Sequence, residues 1–468
     1  VKEAIDMEQA ADEGWRSLLK PEWMPILAVL LCGVLLQSMN VLMLSTVLPT
    51  IVGELGGVTM MSWPTTAYLA SSITAATCAA VFAAVIGVRA TYCAGVTVFG
   101  VGSLLCSVAP TMEWIVAGRL VQGFGGGLEA AVAYVVVRRT LPEPAWPRAI
   151  ALVSGMWSVS VLMGPLVGGV FARWGDWRGA FVLVSAIAAF LAVGAFVVLR
   201  PAAQERKQPA PRVPAARVAL ICLAIAATSA ASTVATPIAE AGLIVLSILA
   251  LTLMLRLNRD AATPLLPRDS FLLHTPTGVG LWLVLLLCIT YSPLQLYVPI
   301  FLQRLHGLDP LAAGYAVAGA SMGWTAASLA TAGAVGLWRD RLMLAGPVTM
   351  GIGLMGIALL MPASTSFGLY VAIALVGVGI GQCWPFVAHR VMSGARSGDE
   401  TVAASSVPTV QQMGFALGAA LAGLAANASG LGNEVAADDM ATAAFWVPAS
   451  FVAPAAIACL AGLRLNRR

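Results

Sequence analysis

Charged side chains are scarce in this 468-residue chain: Asp, Glu, Lys and Arg together make up 10% of it, where a soluble domain carries about a quarter. So few charges cannot cover a soluble surface of this size, which leaves lipid as the solvent for much of it. Histidine is nearly missing, with three residues. No two of them have metal-ligand spacing, so neither a metal nor a cofactor is expected. The eight cysteines (Cys32, Cys78, Cys93, Cys106, Cys222, Cys288, Cys383 and Cys459) include no CxxC pair and fall in or at the ends of apolar runs. They read as small buried hydrophobes rather than disulfide or metal ligands. The net charge of +4 is carried by basic residues scattered singly. With no basic face to follow a phosphate backbone, a nucleic-acid partner is not expected. No paired acids, metal cluster or Ser/His dyad stands out, so the chain does not read as an enzyme. No loop is long enough for a soluble output domain, and no cleavable signal peptide is visible. Val1 to Lys20 is polar and acidic, which leaves insertion to the first apolar segment.

Hydrophobic residues fill 59% of the positions. They recur in continuous runs of about 20, the length that crosses the hydrocarbon core of a bilayer as a helix. Fourteen spans are expected, near 24–51, 60–86, 91–110, 114–137, 148–172, 178–199, 217–237, 240–256, 276–302, 310–337, 342–362, 367–389, 401–426 and 440–463, the seventh and eighth being the shortest. With both termini in the cytoplasm, 22 of the 26 Lys and Arg fall on the cytoplasmic side, the bias that orients membrane proteins. The resulting organisation is a tail or surface helix over 1–20, a six-helix bundle over 21–200, a cytoplasmic linker with two inserted helices over 201–270, and a second six-helix bundle over 271–468. VQGFGGG in the fourth span and LVGVGIGQ in the twelfth hint at an internal duplication of parallel type.

An ionisable group deep in a membrane is a functional candidate by default. Glu129 is the one acid deep in a span, about 12 Å from the cytoplasmic end of its helix. Arg119 is the one base within a span. Arg119, Gln122, Gly126, Glu129 and Ala133 share one helical stripe, polar and small, suited to line a water-filled cavity. A carboxyl group there can take and release a proton near neutral pH, or it can serve as a fixed hydrogen-bond partner between helices. Gln37 and Asn40 share a face of the first span. Tyr291, Gln295, Tyr297, Trp324, Gln382, Trp384 and Gln412 add aromatic rings and amides that suit a large amphipathic ligand. Helix packing and interfacial anchoring are the alternatives for each of them.

Several motifs resemble the major facilitator superfamily, and within it the fourteen-helix drug/proton antiporter branch. LSTVLPTIVGEL resembles the branch's first helix, and WPTTAYLA its second, through Trp63, Tyr68 and Leu69. GRLVQGFGGG matches R-x-x-Q-G through Arg119, Gln122 and Gly123. LMGPLVGGVF matches the antiporter signature through Gly164, Pro165, Gly168 and Gly169, residues that let helices approach and rock. WGDWRGAFV resembles an outer corner at Trp177, Arg178 and Phe181, and QQMGFALGAALAG a later pattern with Gln411 in place of arginine. The resemblance implies an all-α major facilitator fold with fourteen transmembrane helices (6+2+6), working as a monomer in the bacterial inner membrane. It implies proton-coupled export of amphipathic or drug-like compounds by alternating access. Glu129 would be the proton site, and Arg119 would take part in coupling or in helix locking. Export of lipids or glycolipids, and uncoupled facilitation, are the alternatives. Two positions depart from the branch: Asn40 stands where an aspartate is usual, and Ala84 where the loop after the second helix carries an acidic gate, of which Gly87 and Arg89 remain.

Overall fold

The computed structural model describes residues 20–56, 63–199, 215–231, 236–261, 264–308, 310–363, 365–430 and 437–466, with Trp15 and Leu18. The tail over 1–20 and the linker over 201–217 fall almost wholly outside the described residues. All regular structure among the described residues is helical. The first helices are α1 (Met24–Leu55), α2 (Trp63–Ile86), α3 (Val88–Ser107), α4 (Met112–Thr140), α5 (Trp146–Arg173), α6 (Trp177–Val198), α7 (Ala215–Ala231) and α8 (Pro237–Arg259). They are followed by α9 (Pro276–Leu296), α10 (Val298–His306), α11 (Pro310–Thr331), α12 (Gly336–Leu360), α13 (Phe367–Ser393), α14 (Glu400–Ala428), α15 (Ala437–Ser450) and α16 (Val452–Asn466).

The protein is a multi-pass membrane protein. Among the described residues, 12 helices are long and apolar enough to cross a membrane, where the sequence led us to expect fourteen. A described helix overlaps each expected range, but two fall short. The seventh, α7, has only 17 residues. The tenth, α11, is diluted by Gly, Ser and Thr (PLAAGYAVAGASMGWTAASLAT). The fourteen-helix expectation is therefore not supported: twelve candidate spans are present among the described residues. Two other spans are broken helices. The ninth divides into α9 and α10 at Tyr297, two residues before Pro299, whose missing N–H and ring interrupt the ladder at the Gln295 carbonyl. The last divides into α15 and α16 at Phe451, three residues before Pro454, which cannot bond the Ser450 carbonyl.

Local signals set the helix ends. Asp176 caps α6 by accepting from the Gly179 N–H at 2.9 Å, and Thr275 caps α9 by accepting from the Gly278 N–H at 3.1 Å. Proline occupies the first turn of α1, α5 and α9, where its missing donor costs nothing. Gly87 and Gly336 take positive φ values of 87° and 56° at the tight turns leading into α3 and α12.

The chain folds into two compact units. One is Val1–Cys222 with Asp260–Pro267 and Ser397–Thr409; the other is Leu223–Arg259 with Arg268–Arg396 and Val410–Arg468. In the first unit α4 packs on α2 and α3, α1 on α5, and α3 on α6; in the second α13 packs on α11 and α12. Glycine sets these contacts. A Cβ added at Gly123 or Gly127 of α4 would run into the carbonyls of Tyr68 and Ser72 on α2. A Cβ at Gly377 or Gly381 of α13 would run into those of Ala320 and Trp324 on α11. Both the glycines and the carbonyls are four residues apart in each unit. The α1–α5 contact is repeated as well. A Cβ added at Gly164 would lie 2.6 Å from Leu42 Cβ, and one added at Gly414 of α14 would lie 2.6 Å from Cys288 Cβ of α9. One helix-packing scheme is thus built twice, which supports the duplication read from the glycine-rich segments.

Substituting Gly377→Val should lower thermal stability by about 1–3 kcal/mol through overpacking. Gly169→Ala, where nothing lies within 4 Å of the added carbon, should leave stability unchanged or raise it by up to about 1 kcal/mol. Melting of the detergent-purified variants checks the contrast.

Candidate functional site

The stripe on α4 faces α1, α2 and α3 within the first unit, and all five of its residues are buried. At one end, the Arg119 guanidinium is held by neutral groups. Its Nη1 donates to Gln122 Oε1 at 2.5 Å and its Nε to the Pro64 carbonyl at 3.3 Å. Its Cζ lies 4.2 Å from the centre of the Tyr68 ring, a cation–π contact. The Gln122 Nε2 donates in turn to Ser103 Oγ at 2.5 Å and to Asn40 Oδ1 at 3.2 Å. Arg119, Gln122 and Asn40 are each fully enclosed. The sequence placed Arg119 and Gln122 on one stripe of the fourth span and Asn40 on the first span; the structure joins them in one chain of hydrogen bonds.

Two turns further along α4, Glu129 is 3% exposed. The Tyr92 hydroxyl of α3 lies 3.3 Å from Glu129 Oε1 and 3.1 Å from the Val29 carbonyl of α1, and its single hydrogen serves one or the other. Gly33 of α1 is what admits this pair: a Cβ there would collide with both Glu129 Oε1 and the Tyr92 hydroxyl. Beside them is a cavity of about 10 Å³ lined by Gly33, Leu36, Gln37, Val96, Phe99, Glu129 and Leu191, room for about one water. Among the described residues, the stripe expected to line a water-filled cavity is in this conformation a packed helix face, with a small opening beside Glu129. No ion pair to Glu129 is present among the described residues. Tyr92 and Gly33 were missed from sequence. Their signal was a lone tyrosine in an apolar helix and a lone glycine one turn before Gln37.

In the second unit, Tyr291, Trp324, Trp384 and Phe415 form an aromatic cluster. Ring centres are 5.4 Å apart for Tyr291–Trp324 and for Trp324–Trp384, and 6.2 Å apart for Tyr291–Phe415. Trp324 Nε1 is buried there without a partner, and Gln412 Oε1 of α14 is likewise buried and unpartnered. Gln382 donates to Thr349 Oγ1 at 3.2 Å. Tyr297 stacks on Phe301 at 6.0 Å, and Gln295 is exposed, so neither joins the cluster. Gly164 and Gly168 seat α5 against α1, whereas Gly169 faces open space. Pro165 lies in α5, its side chain outside the described residues. Ala84 sits in α2, and Arg89 stacks 3.8 Å over Phe196. The second unit does hold an acid near the corresponding turn: Asp340 lies 3.6 Å from Arg390 and 3.3 Å from Arg339. No cluster of metal ligands occurs among the described residues.

The Major Facilitator Superfamily pattern matches residues 30–407. The chain belongs to the major facilitator superfamily. As a member of this transporter superfamily it is 34% identical to a "probable multidrug-efflux transporter" of Mycobacterium tuberculosis over 448 residues, covering 92% of this chain and 93% of the relative. It is 29% identical over 154 residues to a Bacillus subtilis multidrug transporter protein, covering 33% of this chain and 28% of the other. Among solved structures, the human organic anion transporter MFSD10 superposes with a TM-score of 0.70 at 12% identity, covering 94% of this chain and 99% of that one. The proton:xylose symporter XylE gives 0.64 at 13%, covering 93% and 94%. At such identities the two structures establish the major facilitator fold and nothing finer. The fourteen-helix branch is not borne out, given the twelve spans.

A further feature of this major facilitator protein is the corner that closes one end of the first unit. Beyond the Met24–Leu44 span, Glu54 accepts from Arg178 Nη1 at 2.5 Å and from Trp177 Nε1 at 2.6 Å, and Arg178 Nη2 donates to the Ala109 carbonyl at 3.1 Å. The Arg178 guanidinium, and after it the Trp177 indole, hold the Glu54 carboxyl below its ordinary value. Its contribution to stability is complete above the ordinary carboxylate pKa of 4.5 and is lost as pH falls through the lowered one. Glu54→Gln should therefore lower the melting temperature at neutral pH and weaken its fall between about pH 5 and pH 3, as followed by a pH series of thermal melts.

Proposed function

We propose that this transporter exports amphipathic, drug-like compounds in exchange for protons by alternating access, with Glu129 as the proton-carrying group. The observation that carries this reading is the enclosure of Glu129. A carboxyl group is buried among apolar helices, held by one phenol, beside an opening for a water, with no cation paired to it among the described residues. A charge in such a place is costly, so gain or loss of a proton and movement of the side chain are coupled. Protonated, the carboxyl fits the packed arrangement around Gly33 and Tyr92. Deprotonated, it favours a conformation that brings water or a cationic substrate to it. A single carboxyl binding proton and cation in competition is enough to enforce exchange. The aromatic cluster of Tyr291, Trp324 and Trp384, with the unpartnered Trp324 N–H and Gln412 carbonyl, supports a large ligand with rings and a few polar groups. The names of the Mycobacterium and Bacillus relatives point the same way. The basic residues favour the bacterial inner membrane with both termini in the cytoplasm. Gly164 and Gly168 would form the close contact on which α1 and α5 rock.

One observation favours a second reading. Asn40 and Ala84 stand where acids usually attract and gate cations, which would suit a lipid or glycolipid substrate, or a facilitator without proton coupling.

Glu129→Gln should abolish substrate movement driven by an imposed pH gradient in reconstituted vesicles, by at least about tenfold, while insertion and folding persist. Normal pumping by the variant would make Glu129 a structural residue and return the facilitator reading to first place.

A further inference from the structure

We infer that Arg119, Asn40 and Gln122 form a binding site for a small anion within the first unit. The buried guanidinium has only neutral partners: the Gln122 carbonyl, the Pro64 carbonyl and the face of Tyr68. Among the described residues no carboxylate reaches it, and its Nη2 is buried without an acceptor. Asn40 is in the same position. Its Oδ1 is taken by Gln122, while its Nδ2 is buried and unpartnered. Turning the Asn40 amide over does not help, because it would set its NH2 against that of Gln122. The cluster therefore holds one full positive charge and surplus N–H groups, and what it lacks is an acceptor. A proton or a cation would add to that imbalance; an anion removes it.

The chemistry of the donors fits a compact, singly charged anion. Arg119 presents Nη1 and Nη2 side by side, the fork that grips a carboxylate or a halide. Gln122 Oε1 occupies one tine of that fork as a neutral stand-in. A swing of that amide frees both tines. An aspartate at position 40 would have supplied the negative charge from within; asparagine leaves it to come from outside. The route is short. Pro64 is the second residue of α2, so the guanidinium lies beside the end of that helix. Arg119 is itself about 10 Å from the start of α4, seven residues at 1.5 Å each. The anion is either a free inorganic ion such as chloride or the carboxylate head of a transported compound.

The test uses the purified full chain in lipid nanodiscs and needs no transport, so its outcome is independent of the role given to Glu129. Thermal melting is followed at constant ionic strength in chloride, in bulky gluconate, and in gluconate with added benzoate. The wild type should melt several degrees higher in chloride or with benzoate than in gluconate alone, with saturation. A response to chloride alone marks a free inorganic ion, and a response to benzoate alone marks the head of an organic substrate. Asn40→Asp should melt in gluconate as the wild type does with anion, and should no longer respond to either. Melting of the wild type that is indifferent to all three conditions overturns the inference. So does an Asn40→Asp variant with the full wild-type response. The wild-type series decides the matter even if the variant fails to fold.

Discussion

Contact between helix backbones is the constraint on which the rest of this structure depends. In lipid there is little hydrophobic gain from bringing two helices together, so association comes from close packing and from hydrogen bonds. Here α4 approaches α2 and α3 until carbonyls lie where side chains would otherwise be. That proximity seals the space around α4 and excludes lipid from Arg119, Gln122 and Glu129. Without it each of these polar groups would face acyl chains or demand bulk water. With it, each is limited to the partners that α1, α2 and α3 supply, and those partners decide its chemistry.

Much of the architecture was legible in sequence because the apolar runs are long and uninterrupted, and helix is the structure that satisfies a backbone in lipid. The count failed for a physical reason. α7 is too short, and α11 is mostly Ala, Gly, Ser and Thr, residues that fold into a helix among other helices without being very apolar themselves. The breaks at Tyr297 and Phe451 were signalled by Pro299 and Pro454, but helices in membranes also carry proline without breaking, as α12 does at Pro347. The site was half legible. Glu129 and Arg119 stood out because charge is rare in a span. Tyr92 and Gly33 did not, because the register between α1 and α3 is a tertiary property that no single helix reveals. The same holds for the chain of hydrogen bonds from Arg119 to Asn40, which needed the contact between α1 and α4.

The two units use one packing scheme for different ends. Superposing the glycine contacts pairs Arg119 with Ile373, Gln122 with Val376 and Glu129 with Cys383 along α4 and α13. The same register pairs Asn40 with Leu286, Tyr92 with Met343 and Tyr68 with Ala320. Every polar member of the first unit's network thus has an apolar counterpart in the second. Conversely Ser72 corresponds to Trp324, the centre of the aromatic cluster. The buried network around Arg119 and Glu129 belongs to one copy and the aromatic cluster to the other, although the helices meet in the same way.

That correspondence has a consequence for how such a molecule can change. Because Gly377 and Gly381 repeat the seats of Gly123 and Gly127, side chains at neighbouring positions of α13 point into a space already shaped like the one around α4. The second copy is in effect a vacant duplicate of the first one's wiring. New ionic behaviour could arise there by a few exchanges of side chain with no redrawing of the backbone, and the first copy could lose its own just as easily.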